Sequence, residues 1–127
     1  MDISEKDELV FKSLGTRALI LFGSHAQGVA NEVSDYDFFV IGKKAENSYD
    51  AIYNILSSKI NKLTDIDIVF EGDASGELKS HVAKHGTVLY QESGSVFADF
   101  KQRVMLEYSD FASLRAIFSD ATMARIG

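Results

Sequence analysis

Residues 21–40 read LFGSHAQGVANEVSDYDFFV, and the features that decide the fold and the chemistry lie in this stretch. It completes one apolar run, breaks at Gly23-Ser24, crosses a polar loop and enters a second apolar run at Asp35 and Asp37. A glycine-serine turn after one buried strand, and two carboxylates at the start of another, predict a phosphate-binding turn beside a metal site.

The length and composition of the chain predict a single cytoplasmic domain. Its 127 residues are 46% hydrophobic, and we expect one domain whose main part is residues 1–92, followed by a C-terminal helical segment over residues 95–125. Its 13 Lys and Arg against 19 Asp and Glu give a net charge of −6, which disfavours extended nucleic-acid binding because that requires clustered positive charge. The sequence has no cysteine, no apolar run of membrane-spanning length and no signal-peptide pattern at its start.

The spacing of apolar residues predicts an α+β, or mixed α/β, fold in which helices cover a small mixed sheet. The expected helices cover residues 4–14, 24–29, 47–63, 77–84 and 95 onward, and the expected strands cover residues 17–22, 35–41, 64–70 and 87–90. The first two strands are apolar on both faces, so both faces should be covered by other elements. A break in the last helix is expected near Ser109 and Asp110.

The first expected helix carries its own start signal. Ser4 is suited to cap it, and Asp7 three residues later forms a variant of the capping box. Leu9, Val10 and Leu14 are expected to form the apolar stripe that faces the core.

Two carboxylates stand at the start of the second strand. Asp35 and Asp37 are two residues apart, so their side chains should share one face of the strand. Asp65 and Asp67 repeat this spacing in the third strand, and one of them would complete a group of three if the strands are neighbours. Carboxylates so placed repel one another unless a cation lies among them, and Mg²⁺ prefers oxygen ligands. The alternative is that both pairs are only polar strand ends.

The turn at Gly23-Ser24 follows the first buried strand. Glycine lets backbone N–H groups face a ligand, serine adds a hydroxyl, and the start of a helix favours an anion, so the turn is suited to a phosphate. The alternative is an ordinary turn in which Ser24 caps a helix. A P-loop does not fit, because Val29-Ala30 replaces its Lys and Ser/Thr, and GSHAQG lacks the third-position glycine of a dinucleotide fingerprint.

Together these motifs resemble the minimal nucleotidyltransferases of the DNA polymerase beta superfamily. The short members of that family have GSxAxG, then SDxD, then a strand aspartate followed by two apolar residues; this chain has GSHAQG at 23–28, SDYD at 34–37 and DIV at 67–69. The resemblance covers about the first 90 residues and implies that Asp67, rather than Asp65, is the third ligand. Gln27 departs from the pattern, because the family often has an arginine at this possible phosphate contact.

The resemblance implies a metal-dependent enzyme that transfers AMP from ATP to a hydroxyl group. It implies that Asp35, Asp37 and Asp67 are catalytic and hold two Mg²⁺ ions, and that Asp67 helps to deprotonate the acceptor hydroxyl. It also implies that Gly23 and Ser24 bind the β- and γ-phosphates. It also implies a polymerase beta-like palm with a C-terminal helix or helical hairpin, and an antitoxin that adenylylates a tyrosine on a partner ribonuclease toxin of the HEPN type. The alternatives are AMP transfer to a small molecule such as an aminoglycoside, and neutralisation of a partner by binding without catalysis.

The remaining motifs have plainer interpretations. His81 and His85 are four residues apart on an expected helix but lack a third metal ligand, so they are expected to be surface residues. His25 lies inside the turn motif, where the sequence alone does not decide whether it contacts nucleotide. The C-terminal segment carries more apolar residues than a narrow stripe needs, so part of it could contact a partner or a second copy of the chain.

Overall fold

A computed structural model of the protein describes residues 1–28, 35–60 and 64–109, with the backbone alone for residues 108 and 109. The helices are α1 (Glu5–Ser13), α2 (Ser24–Gln27), α3 (Ser48–Ser57), α4 (Gly76–His85) and α5 (Val96–Val104). The strands are β1 (Thr16–Phe22), β2 (Tyr36–Gly42), β3 (Ile66–Phe70) and β4 (Thr87–Gln91). A 3₁₀ turn (Glu71–Asp73) follows β3, and a π-helical turn (Met105–Ser109) follows α5. The predicted α+β fold is confirmed.

The four strands form one mixed sheet in the order β3-β2-β1-β4. β1 pairs antiparallel with both β2 and β4, whereas β2 and β3 are parallel. A parallel pair needs a crossover connection, and α3 lies between β2 and β3 in the chain and supplies it. The two central strands are therefore β1 and β2, which are the strands that the sequence predicts to be apolar on both faces.

Helices cover both faces of the sheet, and the sheet divides the core into two layers. One layer contains Phe11 of α1 and Ile52 and Leu56 of α3, packed with alternate residues of the central strands such as Leu19 and Val40. The other layer consists of residues from α4, α5 and the opposite faces of β1 and β2: Ala18, Ile20, Phe22, Phe39, Ile41, Val82, Ala83, Val96, Phe97, Phe100 and Val104. The prediction that both faces of the central strands are covered is confirmed.

The first helix begins as predicted but buries a different residue. The Asp7 N–H donates to Ser4 Oγ at 3.1 Å and the Ser4 N–H donates to Asp7 Oδ2 at 3.2 Å, which completes the capping box. The prediction that Leu9 belongs to the buried stripe is wrong, because 67% of its surface is exposed. Phe11 is buried in its place, with its ring centroid 5.1 Å from that of Tyr90. The larger aromatic ring sets the rotation of this short helix.

One predicted helix ends earlier in the structure, and the end of another lies outside the described residues. The helix predicted over residues 47–63 ends at Ser57, where Ser57 Oγ donates to the Asn54 carbonyl (3.2 Å) and Ser58 Oγ to the Ile55 carbonyl (2.7 Å). The bond to Ile55 satisfies a carbonyl group that has no helical N–H partner, because the Lys59 N–H donates to the Leu56 carbonyl (3.0 Å) instead. In the C-terminal segment, residues 110–125, including the expected break near Asp110, lie outside the described part of the chain.

A glycine between α4 and β4 allows close packing between these elements and the sheet. Gly86 has an extended backbone (φ −73°, ψ 149°), so it is not needed for a left-handed turn. A Cβ placed on it would lie 2.6 Å from Cγ2 of Ile20 and 2.6 Å from the Val82 carbonyl oxygen. Only a residue without a side chain lets the end of α4 approach β1 this closely.

Candidate active site

The turn at the end of β1 has the geometry that a glycine requires. Gly23 has φ +78° and ψ −155°, and it is the N-cap of α2, a helix of four residues that begins at Ser24. The alternative in which Ser24 caps this helix with its side chain is wrong, because Ser24 is already inside it. The Ser24 side chain is half-buried, at the end of the sheet where β1 finishes and β2 begins.

Gly23 packs directly against the carboxylate of Asp37. A Cβ placed on Gly23 would lie 3.2 Å from Cγ of Asp37 and closer still to Oδ2. Phe22, the residue before this glycine, is paired in register with Asp37 across the β1–β2 ladder. The turn and the acidic strand are therefore in contact, as the two motifs would need to be if they formed one site.

The parallel pairing of β2 and β3 places two aspartates side by side. Asp37 and Asp67 are register partners, and side chains at paired positions of neighbouring strands point to the same face. Asp35 lies two residues before Asp37, just outside β2, and is exposed. Asp65 lies just outside β3, and its carbonyl accepts a hydrogen bond from the Tyr36 N–H at 3.0 Å. Asp67, not Asp65, is thus the neighbour of Asp37.

The electrostatics of Asp37 show that the three carboxylates act on one another. Burial, and after it the charges of Asp67 and Asp35, raise the pKa of Asp37 above its ordinary value. The positive charges of His25 and His81 act in the opposite direction. A half-buried carboxylate between two others is unfavourable in the protein alone, and a bound cation would remove that cost.

The donor set fits a magnesium ion better than a transition metal. All three acidic groups offer carboxylate oxygen, the ligand type that Mg²⁺ prefers, and the whole sequence lacks the thiolate ligands of structural zinc sites. In residues 1–28, 35–60 and 64–109 no group of three or more His, Asp or Glu side chains is already close enough to form a complete metal cage. Mg²⁺ does not require one, because it is commonly bound by one or two carboxylates together with water and substrate phosphates.

Two histidines lie closer to the acidic cluster than the sequence indicates. The His25 ring stacks on Tyr36, with centroids 3.6 Å apart and planes inclined by 9°. His81 meets Phe22 edge to face, with centroids 6.2 Å apart. His85 is exposed as expected, whereas His81 is half-buried and not simply a surface residue. Only the packing of α4 over the end of β1 brings His81 here, and no local sequence signal reports that packing.

Comparison with known proteins identifies the family. The profile of the polymerase beta nucleotidyltransferase domain matches residues 8–95. The chain belongs to this family. It is also 34% identical over 109 residues to the protein adenylyltransferase MntA of Aphanizomenon flos-aquae, an alignment that covers 77% of this chain and 72% of the relative. The family resemblance read from the sequence is confirmed, and the chain is a nucleotidyltransferase, an enzyme that uses a nucleotide substrate.

Solved structures share the fold at low sequence identity. A toxin–antitoxin complex with AMP-PNP contains a chain with a TM-score of 0.65 and 20% identity, and the match covers 94% of this chain and 99% of that one. The MNT antitoxin complex with a tri-AMPylated HEPN toxin of Shewanella oneidensis has a TM-score of 0.57 and 18% identity, covering 95% and 99%. Within the described ranges, no helix has the length and apolar character needed to cross a membrane.

Proposed function

We propose that this protein transfers AMP from ATP to a tyrosine hydroxyl on a partner ribonuclease toxin of the HEPN type, and so acts as an antitoxin. The observation that carries the proposal is the register of Asp37 with Asp67, with Gly23 packed against Asp37. The choice of AMP and of a protein acceptor is supported by similarity to a protein adenylyltransferase. The choice of partner is supported by the shared fold with an antitoxin that is bound to an AMPylated HEPN toxin.

In this mechanism the turn and the strands bind different parts of ATP. Gly23 lets the turn approach the acidic strand closely, and Ser24 would offer its hydroxyl and backbone N–H to the β- and γ-phosphates. Asp35, Asp37 and Asp67 would hold two Mg²⁺ ions between the triphosphate and the acceptor. When bound, these ions neutralise phosphate charge and polarise the phosphorus–oxygen bonds.

The chemical step is an in-line substitution at the α-phosphorus of ATP. The acceptor oxygen forms a bond to this phosphorus, the bond to the bridging oxygen of the β-phosphate breaks, and pyrophosphate leaves. A carboxylate oxygen of Asp67 accepts the proton that the hydroxyl group loses. The protein contributes mainly by holding the reacting atoms in line and by placing charge where it is needed.

Two other functions remain as alternatives, and each has a specific argument against it. A protein that neutralised its partner only by binding would gain nothing from the half-buried carboxylate of Asp37 beside Asp67, which costs stability. Transfer to a small molecule is less well supported, because the relative that shares 34% identity is a protein adenylyltransferase. We further infer that residues 1–127 act as one domain in the cytoplasm, where ATP is available.

The acceptor can be identified by label transfer. Purified protein is incubated with [α-³²P]ATP, Mg²⁺ and a HEPN-type toxin, with kanamycin in a parallel reaction. We expect label on the HEPN-type protein, on a tyrosine located by peptide mapping, and none on kanamycin. Label on kanamycin alone would support the small-molecule alternative, and tight binding without label would support the non-catalytic one.

A further inference from the structure

His25 and Tyr36 connect the two halves of the active site. His25 directly follows Ser24 in the phosphate-binding turn, and Tyr36 lies between Asp35 and Asp37. Their rings are nearly parallel, inclined by 9°, and their centroids are only 3.6 Å apart. Both side chains are half-buried, so the contact is partly shielded from water. This stacking contact joins the turn to the acidic strand, in addition to the contact between Gly23 and Asp37.

The stack is anchored in the core and not only on the surface. Tyr36 also stacks on Phe38, with planes inclined by 8° and centroids 6.0 Å apart. Phe38 is fully buried, and Ala26, the residue after His25, packs against the same core layer. The three rings form a column that runs from the turn into the core. Such a column resists displacement because its inner end is closely packed.

We infer that His25 is a positioning residue: its ring, stacked on Tyr36, holds the Gly23-Ser24 turn at the distance from Asp35 and Asp37 that binding of a magnesium–triphosphate requires. The inference rests on the proposed function only for the location of the nucleotide site. It assigns the role to the flat face of the ring and not to a ring nitrogen. An aromatic residue without nitrogen should therefore replace His25, whereas a small residue should not.

Nucleotide affinity tests this role without any acceptor. The dissociation constant of AMP-PNP with Mg²⁺ is measured by isothermal titration calorimetry for the wild-type protein, His25→Ala and His25→Phe. We expect His25→Ala to bind about three- to tenfold more weakly, the range that one aromatic pair accounts for. His25→Phe should stay within about twofold of the wild type because the stack is kept.

A matched control separates this stack from aromatic stacking in general. Tyr49 and Tyr53 on α3 also stack, with centroids 6.2 Å apart, and Tyr49 is 40% exposed. Tyr49→Ala removes a ring from an exposed pair that no part of the mechanism uses, so it should leave the affinity for AMP-PNP unchanged. Thermal unfolding of each variant confirms that the protein is folded in the titration.

A double-mutant cycle tests the partner ring. Tyr36→Leu should weaken AMP-PNP binding about as much as His25→Ala, and the double variant should bind about as weakly as either single variant, because both remove one contact. Additive losses would overturn the inference, since they would mean that the two rings act separately. Tyr36→Phe keeps the ring and should keep the affinity.

Three further results would overturn the inference. These are wild-type affinity in His25→Ala, a loss in His25→Phe equal to that in His25→Ala, and a wild-type protein that does not bind AMP-PNP with Mg²⁺. A wild-type protein that binds the nucleotide but labels no acceptor is a different outcome. It would contradict the proposed function and leave the role of His25 to be decided by the binding data.

Discussion

Gly23 and Asp37 touch: the left-handed backbone of Gly23, with φ +78°, lies against the Asp37 carboxylate with no room for a side chain between them. The glycine of the proposed phosphate-binding turn is thus required twice, once for its backbone conformation and once because any side chain would collide with a metal-ligand candidate. This contact turns two separate sequence motifs into one site.

The first prediction concerns that space. Gly23→Ala should reduce nucleotidyl transfer by about 100-fold or more, because the new methyl group displaces the Asp37 carboxylate and small misplacements in an active site are costly. Gly28→Ala is the matched control, since Gly28 also has a positive φ (+73°) but no atom of the described residues lies within 4 Å of an added Cβ. Gly28→Ala should lose about 1 kcal/mol of unfolding free energy and keep its activity, whereas Gly23→Ala should lose more stability, because its methyl group also meets Asp37, and most of its activity.

The second prediction separates the two aspartates at the start of β3. Asp67→Asn should lower the transfer rate by about 100-fold or more, because Asp67 is paired in register with Asp37. Asp65→Asn should retain most of the rate, because Asp65 lies outside the strand and interacts with β2 through its backbone carbonyl. Steady-state rates at saturating Mg²⁺ measure both. The opposite ranking would show that the third ligand is Asp65.

The third prediction links metal binding to stability. Without divalent cations, Asp37→Asn should unfold at a higher temperature than the wild type, with a gain of up to about 1 kcal/mol, because it removes one of the like charges that Asp67 and Asp35 repel. Mg²⁺ with AMP-PNP should raise the melting temperature of the wild type and have little effect on the variant. Differential scanning calorimetry in EDTA, and in Mg²⁺ with AMP-PNP, measures both effects. An equal response of the two proteins to Mg²⁺ would exclude Asp37 from the metal site.

The fourth prediction concerns the pH dependence of stability. A hydrogen bond from Lys59, at 2.9 Å, and bonds with Ser4 hold the pKa of Asp7 below its ordinary value of 3.8. The resulting stabilisation is present above pH 3.8 and is lost as the pH falls through the lower pKa of the folded protein. Asp7→Asn should therefore cost about 0.5–1 kcal/mol near pH 7 and progressively less towards pH 3. A pH-independent difference in melting temperature would show that charge is not the cause.

Local patterns in the sequence predict much of this fold. The capping box at Ser4 and Asp7, the apolar central strands and the glycine turn after β1 all depend on neighbours within a few residues, and all are present. The rotation of α1 about its own axis is not set by neighbouring residues, because Phe11 is buried by contact with Tyr90, which is 79 positions later in the chain. That is why the sequence predicts Leu9 in the stripe where the structure buries Phe11.

The candidate active site also combines features that local sequence patterns predict with features that depend on tertiary packing. The sequence alone shows the spacing of Asp35 and Asp37 and the turn at Gly23-Ser24. The strand register that places Asp67 beside Asp37 is consistent with the strand aspartate that forms the third part of the family motif. The approach of His81 to the site depends on how α4 packs over β1, and no spacing rule reports that packing. The ligand roles of the three aspartates stay predictions, and so does the helical segment beyond residue 109.

The most direct test of the central claim compares two positions of the radiolabel in ATP. Wild-type protein and Asp37→Asn are each incubated with Mg²⁺, the HEPN-type protein and either [α-³²P]ATP or [γ-³²P]ATP. A nucleotidyltransferase that uses Asp37 should label the acceptor from [α-³²P]ATP only, and folded Asp37→Asn should give little or no label. Acceptor labelling from [γ-³²P]ATP, or undiminished labelling by Asp37→Asn, would contradict the account.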